Sequence, residues 1–410
     1  MFHHNLTSAC RLSWLLTVIM MLGSLNNMHA FNRNGIIESD IDDITVSVLT
    51  AYPGSIFYEL EGHSMLRIKS SAYDVCINWG VFDFNESDFV YRFVKGETDY
   101  MVAAFPTSAS LYEYERSGRK VVEQVLALDS LQKQTLLAEI ANNLTPENCR
   151  YRYNYLYDNC ATRPLKLIEI AVGDSIIKPG KQYDPTITFR KLMRAYHRNY
   201  PWYQFGIDLA LGAGIDQPVS VREEAFAPVR LRHLLTGSYA NGRKIVKSER
   251  IIINGDESGA IMSPTPWYLT PLAISWTICC VGLAITYLSY YRHKLPRILT
   301  SVYYGIAFLS GCLLSFLIFV SVHEATSPNW LYLWLNPLAL IPCVVVWLKK
   351  WNKVLIYYHF ANFVALLSLT LIAIFNIQSL NPAFWPLILL DAAISIQYIA
   401  TLKWTRKRLS

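Results

Sequence analysis

The last third of the chain reads as five apolar segments, roughly Trp267–Tyr291, Ile298–Val322, Leu331–Leu348, Val354–Phe375 and Pro382–Lys403. Each is about as long as a helix needs to cross a hydrocarbon core of ~30 Å. No water satisfies an open backbone group in lipid, so uninterrupted apolar runs of this length are expected to be helices. Charge then sets their direction. Arg292, Lys294 and Arg297 follow the first segment; Lys349, Lys350 and Lys353 follow the third; Lys403, Arg406, Lys407 and Arg408 follow the fifth. The alternate loops, His323–Trp330 and Asn376–Asn381, contain neither Lys nor Arg. Positive charge marks the cytoplasmic side, so Trp267 starts outside and the C-terminus ends in the cytoplasm.

The N-terminus agrees with that orientation. Met1–Ala30 has the layout of a secretory signal: Arg11, an apolar run Leu12–Leu25, and a small-residue cleavage site at Met28-His29-Ala30. A retained anchor is the alternative. Cys10 precedes the apolar run, so it is not a lipoprotein cysteine. Both signals place the stretch before Trp267 outside the cytoplasm. At 410 residues there is room for two domains. The expected division is a signal at 1–30, an extracytoplasmic domain at 31–255, a turn-rich linker at 256–266 and a five-helix membrane domain at 267–410. The 52% hydrophobic content fits this reading. The net charge of +6 calls for no nucleic-acid partner: ten of the basic residues mark the cytoplasmic ends of the spans, and the outer domain has no basic run.

The outer domain reads as α+β. Asp43–Pro53 is a strand, and His63–Ile68 with Val75–Phe84 forms a hairpin around Ser70-Ser71-Ala72. Arg119–Leu128 is a further β-rich run. Asp129 caps a helix running to about Asn143. A second helix carries Leu165, Ile168 and Val172 on one face and stops at Gly173. Thr186–His197 and Phe226–Leu235 are further helices, and Arg243–Gly255 is a strand. Of the eight cysteines, only Cys76, Cys149 and Cys160 fall in this domain. If Cys76 and Cys149 pair, Cys160 is the free thiol; otherwise all three are reduced. No CxxC or Cys/His metal spacing is present, so neither metal nor other cofactor is expected.

Chemistry concentrates in "YRYNYLYDNCATRPLKLIEIAVG", Tyr151–Gly173, where Cys160 meets a helix that Asn159 caps. The free N–H groups of a helix N-terminus favour thiolate over thiol and would also stabilise an oxyanion. Pro164 resists this unless it falls in the first turn. A small buried residue closing a helix is the bland alternative. A cysteine nucleophile needs a base. His63 opens a strand in "EGHSMLRI" and is the candidate; His197 and His233 read as solvated or surface residues. With the hairpin turning around Ser71, Asn78 falls opposite Ser64 and can hold the imidazole, within a residue or two of register.

A strand histidine followed about a hundred residues later by an "NC" at a helix start resembles the circularly permuted papain-like fold. "EGHSMLRI", "INWGVFDF", "FVKGETDYMVAAFP" and "YLYDNCATRPLKLIE", followed by several spans, more closely resemble the Lnb-type bacterial lipoprotein N-acyltransferases. The resemblance implies a thioester on Cys160 with His63 as base. It also implies a phospholipid acyl donor, and as acceptor the α-amino group of the lipidated N-terminal cysteine of a diacylglyceryl apolipoprotein. It implies the bacterial inner membrane, with the catalytic domain in the periplasm. Asn78 as third member is an inference from the hairpin alone.

Tyr157 and Asn159 flank the nucleophile and are candidate substrate contacts. Tyr151, Tyr153, Tyr155 and Tyr157 form an aromatic approach that would shield a thioester, though alternating tyrosines also suit an ordinary strand. The outer loop Ser321–Leu338 offers His323, Glu324, Asn329 and Asn336 among tryptophans, a mix suited to lipid headgroups; His323 and Asn336 are its candidates for substrate binding. Asp391 lies mid-span, where a carboxylate usually faces protein or a cavity. Two other functions stay open: a membrane-tethered cysteine peptidase or amidase acting on cell-wall peptide, and a non-catalytic binding module.

Overall fold

The computed structural model describes residues 40–82, 88–176, 178, 180–257 and 264–409. The expected signal, 1–30, and residues 258–263 of the linker lie outside the described residues. The chain divides into two compact units. One comprises Met1–Asn85, Asp99–Tyr183 and Ser220–Gly259; the other comprises Glu86–Thr98, Asp184–Val219 and Ala260–Ser410. The polypeptide thus passes from one to the other five times.

The first unit is built on an antiparallel sheet of seven strands: β1 (Thr45–Ala51), β2 (His63–Lys69), β3 (Asp74–Val81), β4 (Asp99–Pro106), β5 (Val121–Leu126), β6 (Arg150–Arg152) and, after a two-residue hairpin of β7 (Tyr239–Ala240) with β8 (Arg243–Lys244), β9 (Val246–Ile253). Their order across the sheet is β6-β4-β3-β2-β1-β5-β9. Four helices cover it: α1 (Thr107–Arg116), α2 (Ser130–Asn143), α3 (Thr162–Val172) and α4 (Pro228–Leu235). Side chains alternate between faces along a strand, and both faces here are covered. Val46, Val48, Leu66, Ile68, Ile77 and Trp79 pack against Ile140 of α2, Ile168 of α3 and Leu231 of α4. Leu49, Ala51, Met65, Cys76 and Val121 pack with Tyr114 of α1 on the other face. This is why β1 is almost wholly buried despite its mixed sequence.

The expected helix at Asp129 is present. Asp129 accepts from the Gln132 N–H at 3.0 Å while the Gln132 side chain accepts from the Asp129 N–H, a reciprocal cap. Helix α3 ends at Gly173, which takes φ +70°. Strand β4 and helix α1 were not anticipated; α1 opens after Pro106 with no side-chain cap to mark it.

Entry into β2 depends on Gly62. Its φ is +87°, and a Cβ there would lie 2.4 Å from the Ala51 carbonyl oxygen. Gly62→Ala is therefore expected to destabilise the unit by more than about 1 kcal/mol. A thermal midpoint equal to that of the parent protein would contradict this.

The second unit is helical. Among the described residues, four helices are long and apolar enough to cross a membrane: Pro271–Tyr291, Arg297–Phe319, Lys349–Ile374 and Phe384–Leu402. The segment expected as the third span is instead a broken apolar run, Trp330–Val345. It comprises short 3-10 turns at Trp330–Leu333 and Pro337–Ala339, then a helix at Leu340–Val345. Pro337 explains the break: it has no N–H to donate and holds Asn336 extended, at φ −144° and ψ 161°. Gly311 lets this irregular backbone pack close, since a Cβ there would lie 2.4 Å from the Asn336 carbonyl carbon.

The helix Phe89–Lys95 and the segment Asp184–Val219 also belong to this unit. The latter is held by a buried charge network. Arg190 is 1% exposed and pairs with Asp208 at 2.9 Å and Asp216 at 2.8 Å. Its remaining N–H groups donate to the Leu211 and Gly212 carbonyls. Asp208 also accepts from Arg194 and from Asn381 Nδ2.

Candidate active site

Cys160 lies two residues ahead of helix α3. Asn159 Oδ1 accepts from the Ala161 and Thr162 N–H groups at 2.8 and 3.0 Å. Its amide group donates to the carbonyls of Tyr155 and Phe226 at 2.6 and 3.0 Å. The expected cap is displaced: Ala161 is the N-cap residue and carries no side-chain cap, while buried Asn159 satisfies the N–H groups that lead into the helix, its polar atoms engaged within the chain. Pro164 is the third residue of the helix, where no intrahelical donor is missing, so the proline and the helix start coexist.

His63 is the first residue of β2. Its Nε2 lies 3.1 Å from Asn78 Oδ1, and Asn78 Nδ2 faces the Cys76 carbonyl at 3.5 Å, which fixes the amide's orientation. Nε2 then carries the hydrogen and Nδ1 keeps its lone pair. The register differs by one from that expected. Lys69 pairs with Asp74, so the turn holds four residues and Asn78 stands opposite Met65 rather than Ser64. Because His63 and Met65 share a face of the strand, Asn78 is the diagonal neighbour of His63 on that face. The β2–β3 ladder ends at this pair, and β3 bulges between Trp79 and Val81. Just past the ladder's end, the backbone N–H of Ser64 lies close enough to the Cys160 sulfur to favour its anion. Cys160 thus meets the strand one residue from His63.

The sulfur's electrostatics oppose the expectation of a preformed thiolate. Burial pushes the Cys160 thiol up to about 11; the Ser64 N–H favours the anion, and the nearby Glu61 carboxylate disfavours it. Desolvation outweighs the helix end here. Burial likewise lowers His63 to about 4, against the Asn78 hydrogen bond and with the Arg119 charge. At neutral pH the resting groups are a thiol and an uncharged imidazole able to accept its proton.

This has a checkable consequence. If His63 takes the proton, alkylation of Cys160 by iodoacetamide is expected to be flat across neutral pH and to fall only as the pH drops towards 4. In His63→Ala it should instead climb steadily with pH towards 11. Identical profiles, followed by peptide mass spectrometry, would exclude the coupling. The stability sign is also set. A histidine with a depressed folded-state pKa stabilises above its unfolded value, and that contribution is lost as the pH falls towards about 4.

The other sequence candidates occupy different surroundings. Tyr157 is 49% exposed. Tyr153 stacks on Tyr100 at 4.3 Å, and Arg163 lies over the Tyr151 ring at 3.4 Å, so these two are packed as an ordinary strand end would be. Tyr155 hydrogen-bonds Glu61. Within the helical unit, His323 Nε2 donates to the Phe93 carbonyl at 2.8 Å. Asn336 accepts from the Leu338 N–H at 3.1 Å and donates to the Tyr332 carbonyl at 3.2 Å. Asn329 is buried between Leu209 and Gln378, and Asp391 accepts from Tyr304 and Asn362. His197 is buried against Gln204, and His233 is exposed. Cys76 and Cys149 are both free. Glu61, Ser64 and Arg119 escaped sequence reasoning. The only available signal was the adjacency of the first two to His63 in "EGHS".

The family model of the Lnb N-terminal periplasmic domain matches residues 32–195, and that of the Lnb transmembrane domain matches residues 263–407. Together they span about three quarters of the chain. No curated protein and no solved structure matches it. With both domains present in this order, and the membrane-length helices lying within the second, the chain belongs to the Lnb family of membrane-bound lipoprotein-processing enzymes with a periplasmic domain.

Proposed function

We propose that the protein is a lipoprotein N-acyltransferase working through a thioester on Cys160. His63 Nδ1 takes the thiol proton as the sulfur attacks an ester carbonyl of a phospholipid. The oxyanion is met by the N–H groups of Ser64 and Cys160. Its collapse releases the lysophospholipid oxygen, which leaves with the proton from the imidazolium. The α-amino group of a diacylglyceryl apolipoprotein then attacks the thioester, and His63 carries a proton from the amine to the departing sulfur. Asn78 holds the ring in the tautomer this needs. The observation that carries the reading is the His63–Asn78 contact at 3.1 Å, one residue from the Ser64 N–H that favours the Cys160 anion. The permuted papain-like arrangement of the periplasmic domain is part of the same proposal.

The membrane topology follows from charge. With Arg292 and Lys349 both cytoplasmic, the run Trp330–Val345, though broken, makes the third of five crossings in this proposal. Irregular backbone is tolerated at that depth where protein covers it, and the close approach at Gly311 supplies such cover. The periplasmic domain then faces outward from the inner membrane and the C-terminus lies in the cytoplasm. Both proposed substrates react at the outer lipid–water boundary, where a covalently tethered domain meets them at high local concentration.

Incubation of the purified protein with phospholipid, followed by intact-mass analysis, tests this. An added acyl mass labile to hydroxylamine is expected. Release of free fatty acid with no adduct would point to hydrolysis instead, and cleavage of cell-wall peptide would favour a peptidase.

A further inference from the structure

The position of Glu61 is at odds with its effect on the nucleophile. It stands on the turn that Gly62 imposes, two residues before His63, and its carboxylate accepts a hydrogen bond from the Tyr155 hydroxyl. The Tyr155 carbonyl in turn accepts from the side-chain amide of Asn159, the neighbour of Cys160. The carboxylate is thus tied both to the strand carrying His63 and to the loop carrying Cys160. The Glu61 carboxylate also works with burial to raise the Cys160 thiol's pKa. A negative charge beside the sulfur hinders formation of a thiolate. A site that only had to make a nucleophile would be better without it.

The charge is useful if a cation must enter. We propose that Glu61 receives the α-ammonium group of the acceptor, holding it against the thioester and taking its first proton. The neutral amine then attacks; its second proton passes through His63 to the sulfur as the C–S bond breaks, and Glu61 releases its own proton to water. The acyl chain moves to nitrogen without any oxidant or further reactant. Tyr155 orients the carboxylate, and the charge selects acceptors with a free amino terminus. This assignment rests on the acyl-transfer reading above and deepens it.

The two half-reactions separate the roles. In full-length protein in phospholipid nanodiscs, Glu61→Gln keeps a hydrogen-bonding partner for Tyr155 and removes only the charge. Thioester formation is expected at the parent rate or faster. Transfer to a diacylglyceryl-cysteinyl dipeptide should fall by at least about tenfold, while discharge by hydroxylamine stays unchanged. Glu61→Asp should recover part of the loss. If Glu61→Gln transfers to the dipeptide as fast as the parent, or loses thioester formation and transfer equally, the assignment to Glu61 is overturned. A parent protein that never forms the adduct overturns the acyl-transfer reading, and this assignment with it.

Discussion

Replacing Cys160 by serine is expected to abolish the acyl adduct and to lower N-acylation by about 10³-fold or more, with the protein still folded and inserted. The magnitude follows from losing a nucleophile that acts as one unit with its base. A serine hydroxyl is harder to ionise than a thiol, and His63, held near 4, is too weak a base to compensate. The half-buried Cys160 makes no disulfide, and serine is smaller, so packing should tolerate the change. Lipoprotein mobility in cells and intact mass in vitro give two independent readouts. A Cys160→Ser protein that still acylates lipoproteins would leave the periplasmic domain only a binding role.

The second large effect concerns folding. Arg190→Ala should destabilise the helical unit by about 3–5 kcal/mol, the usual consequence of breaking a buried ion pair from one side. Asp216 would lose its guanidinium partner while remaining buried, and the Leu211 and Gly212 carbonyls would lose their donors. Burial already raises the Asp216 carboxyl against the pull of Arg190, leaving the Ser379 N–H and the Arg194 charge as its remaining support. Arg190→Lys should lie between the two, because an ammonium cannot reproduce the planar fork. Thermal unfolding in detergent, with limited proteolysis across residues 184–219, reads the effect. An unaltered midpoint and cleavage pattern in Arg190→Ala would show the network to be dispensable.

The membrane helices were legible because apolar length is a one-dimensional property, and four of the five expected segments are full-length helices. The broken run around Pro337 shows where hydropathy misleads: Leu, Trp and Val raise the average whether or not a proline interrupts the helix. The Asp129 cap and the Gly173 stop were equally readable, since capping acts within a turn. The β2–β3 hairpin was legible to within one residue, and that residue decides which side chain faces Asn78.

Local sequence, then, determined the apolar spans, the charge asymmetry of their loops, and a cysteine placed at a helix start with a histidine opening a strand. Tertiary structure decided the ionisation states. Whether Cys160 rests as thiol or thiolate depends on desolvation by residues distant in sequence, set against one N–H from Ser64 and the charge of Glu61. Folding likewise assigned the segment 184–219 to the helical unit through Arg190, Asp208 and Asn381. Such energies come from what surrounds a group in three dimensions, and a linear pattern carries no record of that.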